Sequence, residues 1–469
     1  MTDLYDLVVI GSGPAGQSAA ELAAFLGHSA LIVEKGLPGG TVTTTGGAPT
    51  KTLREMALSL DGSRSRPDAL EWLRARTLGV CRSLQSVTSD EIATRGIDYL
   101  QGRARLSAGR AVIVEPVDGP AREIGARAVV IATGSRPARF AGVAYDDPDI
   151  YDSDEIFTLQ QLPPDIVVVG GGPVGVEFAT VFTALDIPVT LIDPGERLLP
   201  GMDGELAELL AAEFARRGVR VRLGARVESA VRGEDGLAVT LSSGERLAAS
   251  AVLFAAGRVA NTEGLGLEEA GVEVDRRGRI VVDRYFQTTS AGVYAVGDAV
   301  GPTLASLAMQ HGRAAICHAF GLAFGVPVDR AASAAVYGLP ELAGVGATEE
   351  QVRASATPYV VGRCDLSRTA RGAISGRGGR LKLIVRADDR KLLGVHCIGD
   401  IASELVGMGH AVIHAGGAVD IFLTLALNTP TFTAAYRDAS IDALTRLAVL
   451  AGRGRSPYIA AAPPVLALS

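Results

Sequence analysis

A chain of 469 residues exceeds the roughly 100–200 residues of one ordinary core and implies two or three domains. Hydrophobic residues at 48% and charged residues at 21% describe a folded protein, and 57 glycines against 12 Phe and 1 Trp favour the many tight turns of an α/β architecture. The net charge of −7 comes without a long run of either sign, which argues against a nucleic-acid partner. No apolar run reaches the roughly 18 residues of a membrane span, so a cytoplasmic protein is expected.

Asp6–Ile10 (DLVVI) reads as a short β-branched strand, followed by the turn Gly11, Ser12, Gly13, Pro14, Ala15 and Gly16 and then by helix-forming AELAAFLG. In a strand–turn–helix of this kind the first glycine permits the turn, the second lets a pyrophosphate approach the backbone, and the third allows close helix packing. The N–H groups of the helix start then face the phosphates. A second strand, Ala30–Val33, ends at Glu34, 23 residues after Gly11, where a carboxylate can accept hydrogen bonds from ribose hydroxyls. The apolar start is interrupted by this glycine turn, which does not fit a signal peptide. Asp61–Asp68 (DGSRSRPD) is polar and turn-rich and is expected to join two helices.

The pattern returns at Ile166–Val169, with Gly170, Gly172 and Gly175 in GGGPVG, a helix from Val176, and the strand Val189–Ile192 ending at Asp193, again 23 residues after the first glycine. Two such units about 160 residues apart imply two dinucleotides on one chain, an electron carrier facing a soluble electron donor; decay of one copy is the alternative. Asp193 favours the 2′-hydroxyl of NAD over the 2′-phosphate of NADP. Arg197 either offsets that repulsion or is a solvated loop arginine, so NADP(H) stays open as a second substrate. The four cysteines, Cys81, Cys317, Cys364 and Cys397, form no C-x-x-C and no zinc-like set with the six histidines. They read as reduced structural thiols, and no metal is expected.

GGTVTTTGGAPTK (Gly39–Lys51), VVIATGSRP (Val129–Pro137) and TSAGVYAVGDAV (Thr289–Val300), in this order around the two turns, resemble the two-dinucleotide flavoproteins of the pyridine nucleotide-disulfide oxidoreductase family. KTLRE (Lys51–Glu55), YDSDEI (Tyr151–Ile156) and NTPTFTAAYRDASIDALTRL (Asn428–Leu447) are most similar to its soluble transhydrogenases. The resemblance implies two Rossmann-like dinucleotide-binding domains and a C-terminal α+β dimerisation domain. The expected FAD-binding domain covers 1–150 and 283–327, the NAD(P)-binding domain 151–282, and the dimerisation domain of a homodimer 335–450, with a mobile tail over 452–469.

By the same resemblance FAD takes the first site, with Gly11–Gly16, Glu34, Lys35, Gly40, Thr41, Lys51, Thr133, Gly134, Asp298 and Ala305, Asp298 reaching the ribityl chain. NAD(P) takes the second, with Gly170, Gly172, Gly175, Glu177, Asp193, Arg197 and Gly257. Lys51 lies beside the flavin as a fixed cation that favours the anionic reduced ring, and Glu177 holds it. A helix from about Leu304 aims its N-terminus at the flavin, and His311 and His318 on it read as packing or solvent-facing residues. Tyr436 and Arg437 either line an acceptor pocket or meet the partner subunit.

The departures from the family pattern bear on mechanism. Val42 and Gly47 stand where disulfide reductases carry C-x-x-x-x-C, and Thr429, Pro430, Thr431 and Ala434 stand where they carry the His-Pro-Thr…Glu dyad. Neither valine nor glycine has a sulfur to pass electrons to a thiol pair. The expected activity is therefore hydride transfer between nicotinamide nucleotides through FAD without a redox disulfide. The alternatives are an NAD(P)H diaphorase that reduces a quinone or similar organic acceptor, and a flavin-bound non-catalytic regulatory protein.

Overall fold

The β-branched run at the start does form a strand, Asp3–Ile10, and it lies in the middle of a parallel array because Val8 and Val9 have no exposed face to spare. It pairs in parallel with Ala30–Glu34 on one side and Arg122–Ile131 on the other. Ala30–Glu34 pairs with Asp98–Leu106, and Val293–Ala295 adds to Arg122–Ile131, again in parallel. The first nucleotide fold thus takes its last strand from a segment that follows the whole second glycine turn in sequence. One sheet face carries the helices Pro14–Phe25 and Ala305–Ala319; the other carries the core of Leu106, Val112, Val114, Leu265 and Ile280. The two helices approach closely at Gly312, where a Cβ would lie 2.3 Å from the Ala15 carbonyl oxygen.

The computed structural model describes residues 3–60, 66–108, 110–234, 236–322 and 332–451. The expected turn at Asp61–Asp68 falls partly outside these residues, and the expected tail at 452–469 wholly outside them. The chain divides into two compact units, Met1–Gly170 with Val181–Pro188 and Val227–Asp329, and Gly171–Thr180 with Val189–Arg226 and Arg330–Ser469. The first unit also holds the parallel strands Ile150–Asp152, Val252–Phe254 and Ile166–Val169, and an antiparallel ribbon of Ser135–Pro137 with Arg258–Ala260.

In the second unit Val189–Asp193 pairs in parallel with Arg220–Leu223. A five-stranded antiparallel sheet runs in the order Ala334–Val336, Glu341–Gly346, Leu392–Gly399, Gly379–Arg386, Tyr359–Asp365. Helices Ala402–His414 and Ala435–Leu450 close its core. Tyr436 is at the centre of that core. It is fully buried, its ring centroid is 4.6 Å from Phe422, and its hydroxyl donates to Leu405 O at 2.8 Å and accepts from Gly409 N at 3.1 Å. This corrects the sequence reading: Tyr436 faces inward within its own subunit and lines neither an acceptor pocket nor a subunit contact. Arg437, the next residue on the helix, is exposed beside Asp438.

Sequence reading also missed a charge buried in the second unit. The Lys382 ammonium is 1% exposed and lies 2.8 Å from Asp203 Oδ1, 2.7 Å from Glu349 Oε2 and 3.0 Å from Glu205 Oε2. Arg363 adds a bidentate contact to Glu205. Burial pushes the Glu205 carboxyl up, but hydrogen bonds and charges from Arg363 and Lys382 outweigh it and hold the group at about 2.

Two outcomes follow from this cluster. Lys382→Met leaves buried carboxylates without their cation and is expected to cost about 3–5 kcal/mol in chemical denaturation. Glu205 has a folded pKa below its ordinary 4.5, so its contribution is full above pH 4.5 and is lost as pH falls toward 2. A Glu205→Gln variant should therefore show a shallower loss of stability across that window than the parent chain; an unchanged acid limb counts against the assignment.

Candidate functional site

The first glycine turn is set by backbone crowding. Gly11 has φ +107°, and a Cβ there would lie 2.4 Å from the Ala132 carbonyl oxygen, so only glycine fits. At Gly16 a Cβ would lie 2.0 Å from Gly11 O and 2.9 Å from Val9 Cγ1, which is the close helix–strand packing expected of a third glycine. Gly13 differs, because a Cβ there would meet nothing within 4 Å. It is the N-cap of Pro14–Phe25, its helix start has no side-chain cap, and Pro14 opens the helix without an N–H. Open space beside uncapped N–H groups is a cradle that fits a phosphate.

Glu34 closes this turn from the strand end. Its Oε2 accepts from Ser12 N at 2.8 Å and Ser12 Oγ at 2.9 Å, and its Oε1 accepts from Gly36 N at 2.8 Å. Gly40 comes so near the turn that a Cβ would lie 2.9 Å from Gly13 Cα. Lys35 and Thr41 are exposed, and Ala15 is buried against the neighbouring helix. Thr133 Oγ1 donates to Asn261 O at 2.7 Å, and Asn261 N donates to Gly134 O at 2.9 Å. Asp298 accepts from Ser135 Oγ and from Thr303 N. All of these residues belong to the first compact unit.

The helix expected from about Leu304 is Ala305–Ala319, with Leu304 as its N-cap and Ala305 exposed at its start. His318 stacks on Tyr285 at 4.4 Å, and its Nδ1 lies 3.0 Å from the Tyr294 hydroxyl. His311 stacks on Phe286 at 4.2 Å; burial lowers its pKa against the opposing charge of Asp298. His311 is a packing residue, while His318 is solvent-facing with its ring laid against Tyr285.

Val42 lies on the short helix Thr41–Thr44, and Gly47 precedes Ala48–Ser59. A Cβ on Gly47 would lie 2.9 Å from both Val42 Cα and Val42 O, so the two positions touch and the valine occupies the space between them. Cys81, Cys317, Cys364 and Cys397 are all buried and free; burial pushes the Cys364 thiol up to about 11. Lys51 is half-buried on the helix Ala48–Ser59, in the first unit. Glu177 is buried in the second, where it accepts from Tyr337 N at 3.2 Å.

The second turn repeats the first. Gly170 has φ +119° with a Cβ position 2.5 Å from Ala255 O, while a Cβ at Gly172 would meet nothing within 4 Å. Gly175 is buried on the helix Pro173–Ala184. Asp193 accepts from Gly171 N at 2.6 Å and Gly195 N at 2.7 Å, as Glu34 does from its own turn. The Arg197 guanidinium is directed to the Pro200 carbonyl at 2.9 Å, with Glu350 at 3.8 Å.

The duplication extends beyond the glycine turns. Ala132 N donates to Ile10 O, and Ala255 N donates to Val169 O, both at 2.8 Å. Each alanine starts a segment ending in a positive-φ glycine, Gly134 or Gly257. The match of VVIATG with VLFAAG was the sequence signal for this, and it is weak because only three of its six positions are identical.

A family model described as pyridine nucleotide-disulphide oxidoreductase matches residues 5–312, and its dimerisation-domain counterpart matches 332–440. A soluble pyridine nucleotide transhydrogenase of Mycobacterium bovis is 40% identical, covering 95% of this chain and 98% of that protein. Another from Marinomonas is 35% identical, covering 94% and 99%. Among solved structures, LpdA from Mycobacterium tuberculosis is similar with TM-score 0.87 and 28% identity, covering 94% of this chain and 99% of that one. The HOCl-induced flavoprotein disulfide reductase RclA from Escherichia coli has TM-score 0.85, also at 28% identity, with the same coverage. Among the described residues, no helix is long and apolar enough to cross a membrane.

The contrast between the glycines predicts a contrast between variants. Gly13→Ala is expected to keep the parent melting temperature and lose the bound dinucleotide, read from the absorbance of the purified protein. Gly16→Ala forces its Cβ into backbone and should lower stability by about 1–3 kcal/mol.

Proposed function

We propose, from the premise that this chain belongs to the pyridine nucleotide-disulphide oxidoreductase family, that it binds FAD at the first glycine turn and nicotinamide nucleotides at the second, and exchanges hydride between NADPH and NAD⁺ without a thiol relay. The observation that carries this reading is the pair of equivalent turns, each closed by a carboxylate, in a chain with Val42 and Gly47 side by side. When bound, FAD supplies a two-electron carrier, so that NADPH and NAD⁺ become NADP⁺ and NADH with atoms and charge balanced.

The protein's part is to bind, orient and set charge. Gly13 and the uncapped start of Pro14–Phe25 receive the first pyrophosphate, and Glu34 the adenosine ribose. Gly172 and Asp193 do the same for the nicotinamide nucleotide. Lys51, on the helix Ala48–Ser59 of the first unit, supplies a positive charge next to the flavin ring. Asp193 favours NAD(H); acceptance of NADPH requires the Arg197 guanidinium to leave Pro200 and meet the 2′-phosphate. A homodimer in the cytoplasm completes the proposal, supported by the dimerisation-domain match.

Anaerobic stopped-flow absorbance tests it. NADPH should bleach the flavin, and a spectrally distinct NAD⁺ analogue should restore its colour within the turnover time. Lys51→Met should slow the bleaching at least tenfold, an effect of more than about 1.4 kcal/mol on the barrier. Bleaching by NADH alone, or recovery only with a quinone, would replace hydride exchange by a diaphorase reaction.

A further inference from the structure

The Asp298 carboxylate is held by a chain of side chains that leads away from the flavin site. Its Oδ1 accepts from Thr303 N at 2.9 Å, and its Oδ2 accepts from the Ser135 hydroxyl at 2.6 Å. Ser135 is 8% exposed, and its Oγ accepts from Arg258 Nε at 2.9 Å while its carbonyl accepts from Arg258 Nη2 at 2.9 Å. The other side of the guanidinium meets Asp154 Oδ1 at 2.9 Å, with an Arg258 side chain only 18% exposed. Asp154 is itself fixed, because Asp152 Oδ1 accepts from the backbone N–H groups of Asp154 and Glu155 at 2.9 and 3.0 Å. Every residue in this chain lies in the first compact unit.

The polarity of the chain follows from donor chemistry. A guanidinium has donors only, so Ser135 Oγ can be nothing but the acceptor toward Arg258. That contact uses a lone pair and leaves the single hydroxyl hydrogen for Asp298. Charge-assisted bonds at both ends of Arg258 are the stronger kind, and a fork held by Asp154 on one side and Ser135 on the other has little freedom to turn. Asp298 is therefore presented as an oriented acceptor. The backbone reinforces this, since Arg258–Ala260 and Ser135–Pro137 are the two strands of one ribbon, and Ala138 N donates to Gly257 O at 3.0 Å.

We propose that Asp154, Arg258 and Ser135 are positioning residues for the flavin site, fixing the Asp298 carboxylate to receive a hydroxyl of the FAD ribityl chain. The inference rests on the FAD reading above and assigns a role to the YDSDEI segment, which has no place in the nucleotide turns. It also makes Arg258, the residue after Gly257 of the expected nicotinamide site, a support for the flavin site.

The test is release of FAD from the holoprotein, followed by recovery of flavin fluorescence on dilution, with the visible flavin spectrum and thermal unfolding recorded in parallel. Ser135→Ala and Arg258→Met should each raise the FAD dissociation constant at least tenfold. The double variant should be no weaker than the weaker single by more than about twofold, because both break one chain. Ser135→Thr, which restores the hydroxyl, should return the constant to within threefold of the parent. Unchanged FAD affinity in Ser135→Ala, or losses that multiply in the double variant, overturns the proposal. So does a lower melting temperature without a change in FAD affinity, which marks a purely structural brace. If Arg258→Met does not fold, the Ser135→Ala and Ser135→Thr pair decides the matter alone. A parent chain that takes up no FAD overturns the functional reading instead, so the two failures are distinct.

Discussion

Two carbonyl oxygens pressed against two glycines organise the nucleotide folds. Gly11 is crowded by Ala132 O and Gly170 by Ala255 O, each with φ in the left-handed range that a side chain rarely adopts. At Gly11 this sharp turn leads into the helix Pro14–Phe25, whose uncapped first N–H groups adjoin the open space at Gly13 where a phosphate is expected. The same crowding ties each turn to a strand from far along the sequence. The positive-φ glycines Gly134 and Gly257 come two residues after these alanines.

Around these turns the polar groups are braced in a repeated way. Glu34 and Asp193 each accept two hydrogen bonds or more from their own loops, which orients a carboxylate at the strand end before any ribose arrives. Oriented acceptors of this kind reduce the reorganisation that binding requires. Asp298 likewise accepts from its own loop, at Thr303 N, but its other oxygen is braced by distant side chains, a serine and an arginine.

The segment that holds Val42 and Gly47 is closely packed. Gly47 lies against Val42 with no room for a Cβ, so substitution of cysteine at position 47 alone would strain the backbone there. Elsewhere the second unit takes an unusual liberty in burying Lys382 with three carboxylates. Burying charges is costly unless they are paired, and here the start of the helix Gly204–Arg216 supplies two of the acids, Asp203 and Glu205, within its first turn.

Much of the architecture was legible in the sequence because its signals are short-range. A β-branched run, a glycine at a fixed place and an acid 23 residues later each constrain the backbone locally, and the strands, turns and helices of both nucleotide folds lie where those signals put them. The helix after Leu304 was legible for the same reason; which of its histidines packs, His311, and which faces solvent, His318, was not. Side-chain partners were not, because they depend on which distant segments meet. Tyr436 carries the same amphipathic signal on a helix whether its ring faces a partner or a core, and only the sheet packed beneath Ala435–Leu450 decided that it is buried. Arg197 follows Asp193 closely in sequence, yet its guanidinium turns to Pro200 and Glu350, the latter from a segment far along the chain. Lys382 and the Asp154–Arg258–Ser135–Asp298 chain likewise join residues that no local pattern links. The sequence by itself determined the two dinucleotide turns and the absence of sulfur at positions 42 and 47, since backbone sterics and side-chain identity act within a few residues. The tertiary structure alone decided which charged and polar side chains hold one another, since burial makes each such group take whatever partner the fold brings to it.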